Sequence, residues 1–272
     1  MTGTLAQQLS LISYGNHLLK TGELTADYYP ANPAFTFCNR VDFLYLPLGA
    51  NTTETLAAPD PLTWLRQLRQ QGYQRLSLCY RPSAGNQLNT PDYKLAGFIG
   101  GGGDWLLEVA SGPQADYWAN RWEVTQPNDP QQLIWGVSYG RVAARQPLAA
   151  ARPPLPAAKA ALAQALTEIQ AFATAQQLDN WATIFGKALA LLDSPEPANG
   201  VYHNLLVTAE HSLAARQLIF AASQAWVFGG MGSWNDLVFE DEASNQRYET
   251  LSGQLYAQVN QAIISGINAP GS

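Results

Sequence analysis

Gly136-Val-Ser-Tyr-Gly140 is the one stretch of this chain that fits a catalytic spacing. In a Gly-x-Ser-x-Gly elbow, a sharp strand-to-helix turn holds the serine hydroxyl where a histidine can take its proton. On that pattern Ser138 is the nucleophile, and His203 or His211, the two histidines downstream of it, is the base. The remaining chemistry-bearing side chains are sparser. His203 and His211 stand eight residues apart with no HxxxH, HExxH or CxxC support, and His17 lies far upstream, so no metal site is expected. Gly100 to Gly103 invites a phosphate loop, but the run leads into Asp104-Trp105 and not into Gly-Lys-Ser/Thr. An aspartate there would repel phosphate, and alternation resumes at once, so the glycines read as a hairpin loop and no cofactor is expected.

The string LIWGVSYGRVAARQPLAAA around Ser138 resembles the elbow of α/β-hydrolases. That resemblance implies further parallel strands downstream, carrying an acid and the histidine. The chain continues instead into proline and then helical spacing, and Pro147 leaves little room for the helix that should come after the serine. The alternative for Ser138 is an ordinary strand residue among glycines.

A second group of candidates lies on an expected helix from Thr208 to Phe228. Its apolar residues run nearly all the way round, the pattern of a helix buried in the middle of a fold. Two polar stripes interrupt them: Glu210, Gln217 and Gln224 at seven-residue spacing, and Ser212, Arg216 and Ser223. A buried Arg216 would need a carboxylate, with Asp236 or Glu240 as the candidates. The stripes are either a structural network or the wall of a pocket. The helix stops at Gly229-Gly-Met-Gly-Ser-Trp-Asn-Asp236, where Ser233, Trp234, Asn235 and Asp236 form a polar-aromatic loop able to meet a partner. Trp105, Tyr117, Trp118, Trp122, Trp135 and Tyr139 crowd another stretch; sharing one solvent face, they would bind a sugar or a protein.

The elements carrying these residues fall into two halves. Residues 1–146 mix helix and strand signals. Strands are expected over Phe35–Leu48, Gln74–Arg81, Lys94–Gly100, Trp105–Ala110, Arg121–Val124 and Leu133–Val142. A first helix carries Leu5, Leu9, Ile12, Leu18 and Leu19, and a second is capped by Asp60, opened by Pro61 and stopped by Gly72. Residues 147–156, with four prolines from Pro147 to Pro156, form an extended connector. From 157 to 272 strand signals vanish. Helices are expected around Leu162–Phe172, after a cap at Asp179, over Thr208–Phe228 and over Glu242–Ile267. The fold class is therefore α+β: a mostly antiparallel sheet with two or three helices, followed by an all-α four-helix region packed against it.

Composition narrows the function. The 272 residues carry 15 Lys+Arg against 21 Asp+Glu, a net charge of −6, with only 13% charged and 47% hydrophobic. Such a chain can bury a sizeable core and has no drive toward a phosphate backbone, which argues against nucleic acid. No window is apolar enough for a membrane span, the start does not read as a signal peptide, and Cys38 and Cys79 read as buried thiols, so a cytoplasmic protein is expected. Together these features read as a non-enzymatic protein that binds another protein, in the manner of an immunity protein or inhibitor. A serine hydrolase and a carbohydrate- or small-ligand-binding module are the alternatives.

Overall fold

In the computed structural model, described for residues 1–24, 28–47, 53–83, 90–98, 101–149, 152–197 and 204–270, the strands form one sheet. They are β1 (Cys38–Tyr45), β2 (Thr55–Ala58), β3 (Arg75–Arg81), β4 (Asp104–Ser111), β5 (Gln114–Val124) and β6 (Trp135–Pro147). Their spatial order is β2-β1-β6-β5-β4-β3. Four neighbouring pairs are antiparallel, and β1 with β6 is the one parallel pair. Helices α1 (Gly3–Thr21), α2 (Pro61–Gln70) and the short α3 (Asp92–Leu95) belong to the sheet half. The helical half holds α4 (Leu155–Ala175), α5 (Asp179–Leu191), α6 (Leu213–Gln224) and α7 (Glu242–Asn268). The fold is α+β with a mixed sheet and a helical C-terminal region.

Local signals explain much of this. The Asp60 carboxylate accepts the Thr63 N–H at 2.8 Å and caps α2, with Pro61 in the first turn. At its other end Gly72 takes φ +79°, the Gly72 N–H reaches the Arg69 carbonyl and the Tyr73 N–H that of Leu68, a Schellman stop. Other expectations shift. Lys94–Gly100 is no strand: Lys94 and Leu95 end α3, and residues 99–100 lie outside the described residues. The helix expected over Thr208–Phe228 breaks into a 3-10 turn at Thr208–Glu210 and α6, because Ser212 takes extended backbone and caps a new start by accepting the Ala215 N–H at 3.2 Å. Trp226, Val227 and Phe228 thus leave the helix; Val227 and Phe228 fill the core from a loop, and Trp226 is half-buried. Asp179 is the first residue of α5 and Leu178 its cap. The strand begun at Arg121 in the sequence starts at Gln114, and the neglected Thr55–Ala58 is an edge strand too short to show a period.

One face of the sheet carries the main core. Val41, Phe43, Leu76, Leu78, Leu107, Val109, Trp118, Val137 and Tyr139 point inward and join a cluster that continues through Leu162, Leu166, Phe185, Trp234 and Val259. Helix α1 sits in its middle, with Leu5 through Gly15 buried on every side. Its polar residues are therefore obliged to find partners inside. Gln7 accepts the Tyr139 hydroxyl proton at 2.9 Å, and Gln8 donates to the Trp105 carbonyl at 2.9 Å.

Two polar devices tie the halves together. On β3, the last strand in the sheet order, the Leu76 N–H and C=O are both taken by the Asn16 amide of α1, at 2.8 and 2.9 Å. The Leu78 N–H and C=O are taken in the same way by Asn268 of α7, at 2.8 and 2.9 Å. On the outward face, Glu108 of β4 is 1% exposed beside Cys79, Leu106 and Tyr117. It accepts the Tyr117 hydroxyl at 2.8 Å, the Ala149 N–H at 2.6 Å and the Arg152 guanidinium at 3.4 Å. Ala149 and Arg152 of the connector are thus tied to the sheet's second face, with Pro147 still part of β6.

Asn268→Leu leaves the Leu78 N–H and C=O without that partner, and urea unfolding is expected to show a loss of about 1–3 kcal/mol. Glu108→Ala strands the Arg152 charge against the sheet, and the same measurement is expected to show a loss of about 3–5 kcal/mol.

Candidate functional site

The residues singled out in the sequence do not converge on one place. Ser138 lies inside β6, in register with Asp42 of β1 and Arg121 of β5, with strand on both sides of it. The sharp turn of a nucleophile elbow is not formed there, because β6 continues nine residues beyond the serine and stays paired with β5 as far as Pro147. His203 lies outside the described residues. His211 is turned toward α1, its Nε2 2.8 Å from the Ser13 hydroxyl, which also accepts the Val207 N–H at 2.9 Å. Ser13 is fully buried, so this Ser–His pair ties the 204–211 segment to α1. Burial pushes the His211 pKa down to about 4, a nearby Arg216 adds to this and Glu210 opposes it. Nδ1 of the ring is buried without a partner among the described residues.

Glu210 pairs with His17 at 2.9 Å and Lys20 at 3.3 Å, and the His17 hydrogen bond holds its carboxyl below the usual carboxylate value. Gln217 donates to the Ser194 carbonyl at 2.8 Å. The carboxylate expected for Arg216 is not found: among the described residues Arg216 makes no ion pair, and Asp236 and Glu240 are exposed. Both carboxylates lie beyond the end of α6 at Gln224, in the stretch that leads to α7.

The Gly229–Asp236 loop is a buttress. Trp234 is fully buried among Trp181, Phe185 and Tyr248, with ring centroids 5.2–5.5 Å away. Its indole N–H donates to Ser252 at 2.8 Å. Ser233 donates to the Gly229 carbonyl at 3.0 Å, and Asn235 donates to the Tyr93 carbonyl at 2.9 Å. A Cβ on Gly97 would lie 2.2 Å from the Gly229 carbonyl carbon, so two backbones touch here and only glycine fits.

A different place has the form of a site. Strands β4 and β5 are paired only as far as Leu106 and Ala119. Beyond them Asp104 and Trp105 stay with β3, while Asn120 through Val124 stay with β6. The sheet therefore forks, and a cleft of about 400 Å³ fills the gap, within the range of small-molecule sites. Trp105, Trp122, Trp226 and Tyr256 line it, with Phe98 at its rim and Thr2, Thr4, Asp104, Asn120 and Arg121 as polar groups. Each aromatic ring is held from behind. Tyr256 donates to the Gly102 carbonyl at 2.6 Å and Trp226 to the Phe228 carbonyl at 3.0 Å. Trp105 packs on Tyr80 at 4.8 Å and Trp122 on Trp135 at 5.9 Å. Gln224 lines a neighbouring depression beside Trp226.

Of the aromatic residues noted in the sequence, Trp105 and Trp122 reach this cleft, whereas Trp118 and Tyr139 are core and Tyr117 serves Glu108. Trp226 and Tyr256 carry no sequence signal for it, since each looks like one more apolar residue of a helical segment. Among the described residues, no group of three or more His, Cys, Asp or Glu could hold a metal ion, and no helix is long and apolar enough to cross a membrane. No family model, curated protein or solved structure matches the chain.

The folded protein keeps His211 neutral down to about pH 4, whereas an unfolded histidine charges below about 6.5. The unfolded chain binds the extra proton in that interval, so stability falls as pH drops through it, by at most about 3 kcal/mol. His211→Gln, which can still bond Ser13, is expected to flatten that part of the stability–pH curve in urea titrations.

Proposed function

We propose that this protein is a non-catalytic binding protein and that it takes its partner, a segment of another protein, in the fork between β4 and β5. The observation that carries the reading is the cleft itself. Three tryptophans and a tyrosine, each fixed by a neighbour, stand around a space open to solvent. Rigid aromatic walls with a few polar groups at the rim are what binding hot spots are made of, because large contact area is gained with little rotamer entropy lost. An exposed apolar side chain at the cleft favours a protein partner: Phe98, which lines it, is 63% exposed. A water-free interface would cover it. The serine-hydrolase alternative loses support from the mid-strand position of Ser138 and from the engagement of His211 with Ser13.

A second reading, a carbohydrate module, is favoured by Thr2, Thr4 and Asn120, whose hydroxyls and amide could meet sugar hydroxyls beside the aromatic faces. A random-peptide display library and a glycan array, both applied to the full chain, separate the two. Peptide binders are expected, with affinity reduced about tenfold or more in Trp226→Ala and in Phe98→Ser, as for a truncated hot spot. Binders found only among glycans would favour the second reading. Finding none in either set, or none that the two substitutions weaken, would remove the cleft from consideration.

A further inference from the structure

We infer that the partner of the fork is an extended peptide that joins the sheet as an added strand along the distal half of β5, an inference that rests on the binding reading above. Strand β5 runs from Gln114 to Val124, but β4 accompanies it only to Ala119. On its other side β6 follows it to Val124. Beyond Ala119 the β5 edge that β4 leaves has no ladder partner among the described residues, and Asn120, Arg121 and Trp122 of that edge line the cleft. Across the gap, the Trp105 carbonyl is already taken by the Gln8 amide.

Elsewhere the molecule covers such an edge. Asn16 and Asn268 occupy the N–H and C=O of Leu76 and Leu78 on β3. In the fork the edge is left open inside a preformed pocket. A row of donors and acceptors alternating at strand spacing is matched by another peptide backbone, and neither a sugar nor a lipid repeats that register.

Side-chain alternation then sets the kind of peptide. Trp118 and Trp122 belong to the inward face of β5, so Arg121 and Glu123 point outward. An added residue beside Trp122 projects toward Trp105, Trp226 and Tyr256, which selects an apolar or aromatic side chain. Its two neighbours lie beside Arg121 and Glu123, which already pair with each other at 3.3 Å, so they are polar and need no particular charge. The ligand is a short polar–apolar–polar stretch in extended form.

The test is an N-methyl scan of a peptide selected on the full-length chain. Each backbone amide of that peptide is methylated in turn, and affinity is followed by tryptophan fluorescence. Strand addition is expected to give a loss of about tenfold at every second residue and little change between. Amide exchange of Asn120–Val124 is expected to slow in the complex. A peptide weakened by Trp226→Ala and Phe98→Ser, yet indifferent to N-methylation throughout, would overturn strand addition and leave the cleft as a side-chain pocket. Trp226-dependent glycan binding with no peptide binder would also overturn it. Absence of any ligand that senses either substitution would sink this inference together with the reading beneath it.

Discussion

Everything else in the fold hangs on how β3, the last strand in the sheet order, is closed. The free edge of a sheet's last strand presents backbone donors and acceptors that must be satisfied or left to water. Here two asparagines, one from the first helix and one from the last, each hold an N–H and a C=O of the same strand. Asn16 and Asn268 are 252 residues apart in sequence, yet they bond residues only two apart on β3. That pairing fixes where α1 and α7 lie, and it draws the helical half onto the sheet. Gly15 makes the approach possible: a Cβ there would lie 2.8 Å from Leu65 and 3.2 Å from Leu76.

With α1 pressed into the centre, polar residues that would be surface on a typical helix become buried. Gln7, Gln8, Ser10 and Ser13 are all fully buried, and Gln7, Gln8 and Ser13 reach across to Tyr139, Trp105 and His211. Such contacts contribute less through their own strength than through the cost of leaving them unmade. They specify one arrangement of sheet, first helix and the 204–211 segment. Glu108 plays the equivalent part on the other face, where a small cluster of Cys79, Leu106, Ala110, Ala115 and Tyr117 is too slight to anchor the connector alone. A buried carboxylate fully engaged by a hydroxyl, a backbone N–H and a guanidinium does so by direction as much as by energy.

The fork between β4 and β5 results from unequal strand lengths. Strand β4 has eight residues and β5 eleven, joined by a tight hairpin in which Gly112 takes φ +61°. Because pairing starts at the hairpin, the surplus of β5 lies at the far end, where β4 bends away with β3. The N-terminal turn of α1, the loop carrying Phe98 and the residues Trp226 and Tyr256 meet around that gap. One geometric mismatch thus supplies both an open strand edge and the concavity around it.

Periodicity and capping chemistry in the sequence were enough for the α+β class, the helical character after the prolines and the ends of α2, because these depend on neighbours a few residues away. The alternation that gave β1, β3, β4 and β6 is equally local. What the chain alone did not disclose depends on distant partners. Asn16, Asn268 and Glu108 have side chains like many others until the fold sets a strand edge or a guanidinium beside them. The Ser-containing glycine motif fits an elbow by spacing, but pairing with β5 keeps it straight. Trp234 reads as a loop residue and becomes core, while Trp226 and Tyr256 read as packing and line the cleft. Side-chain type and spacing encode which element forms; which group faces which is decided only when strand register and helix docking bring residues far apart in the chain to within bonding distance.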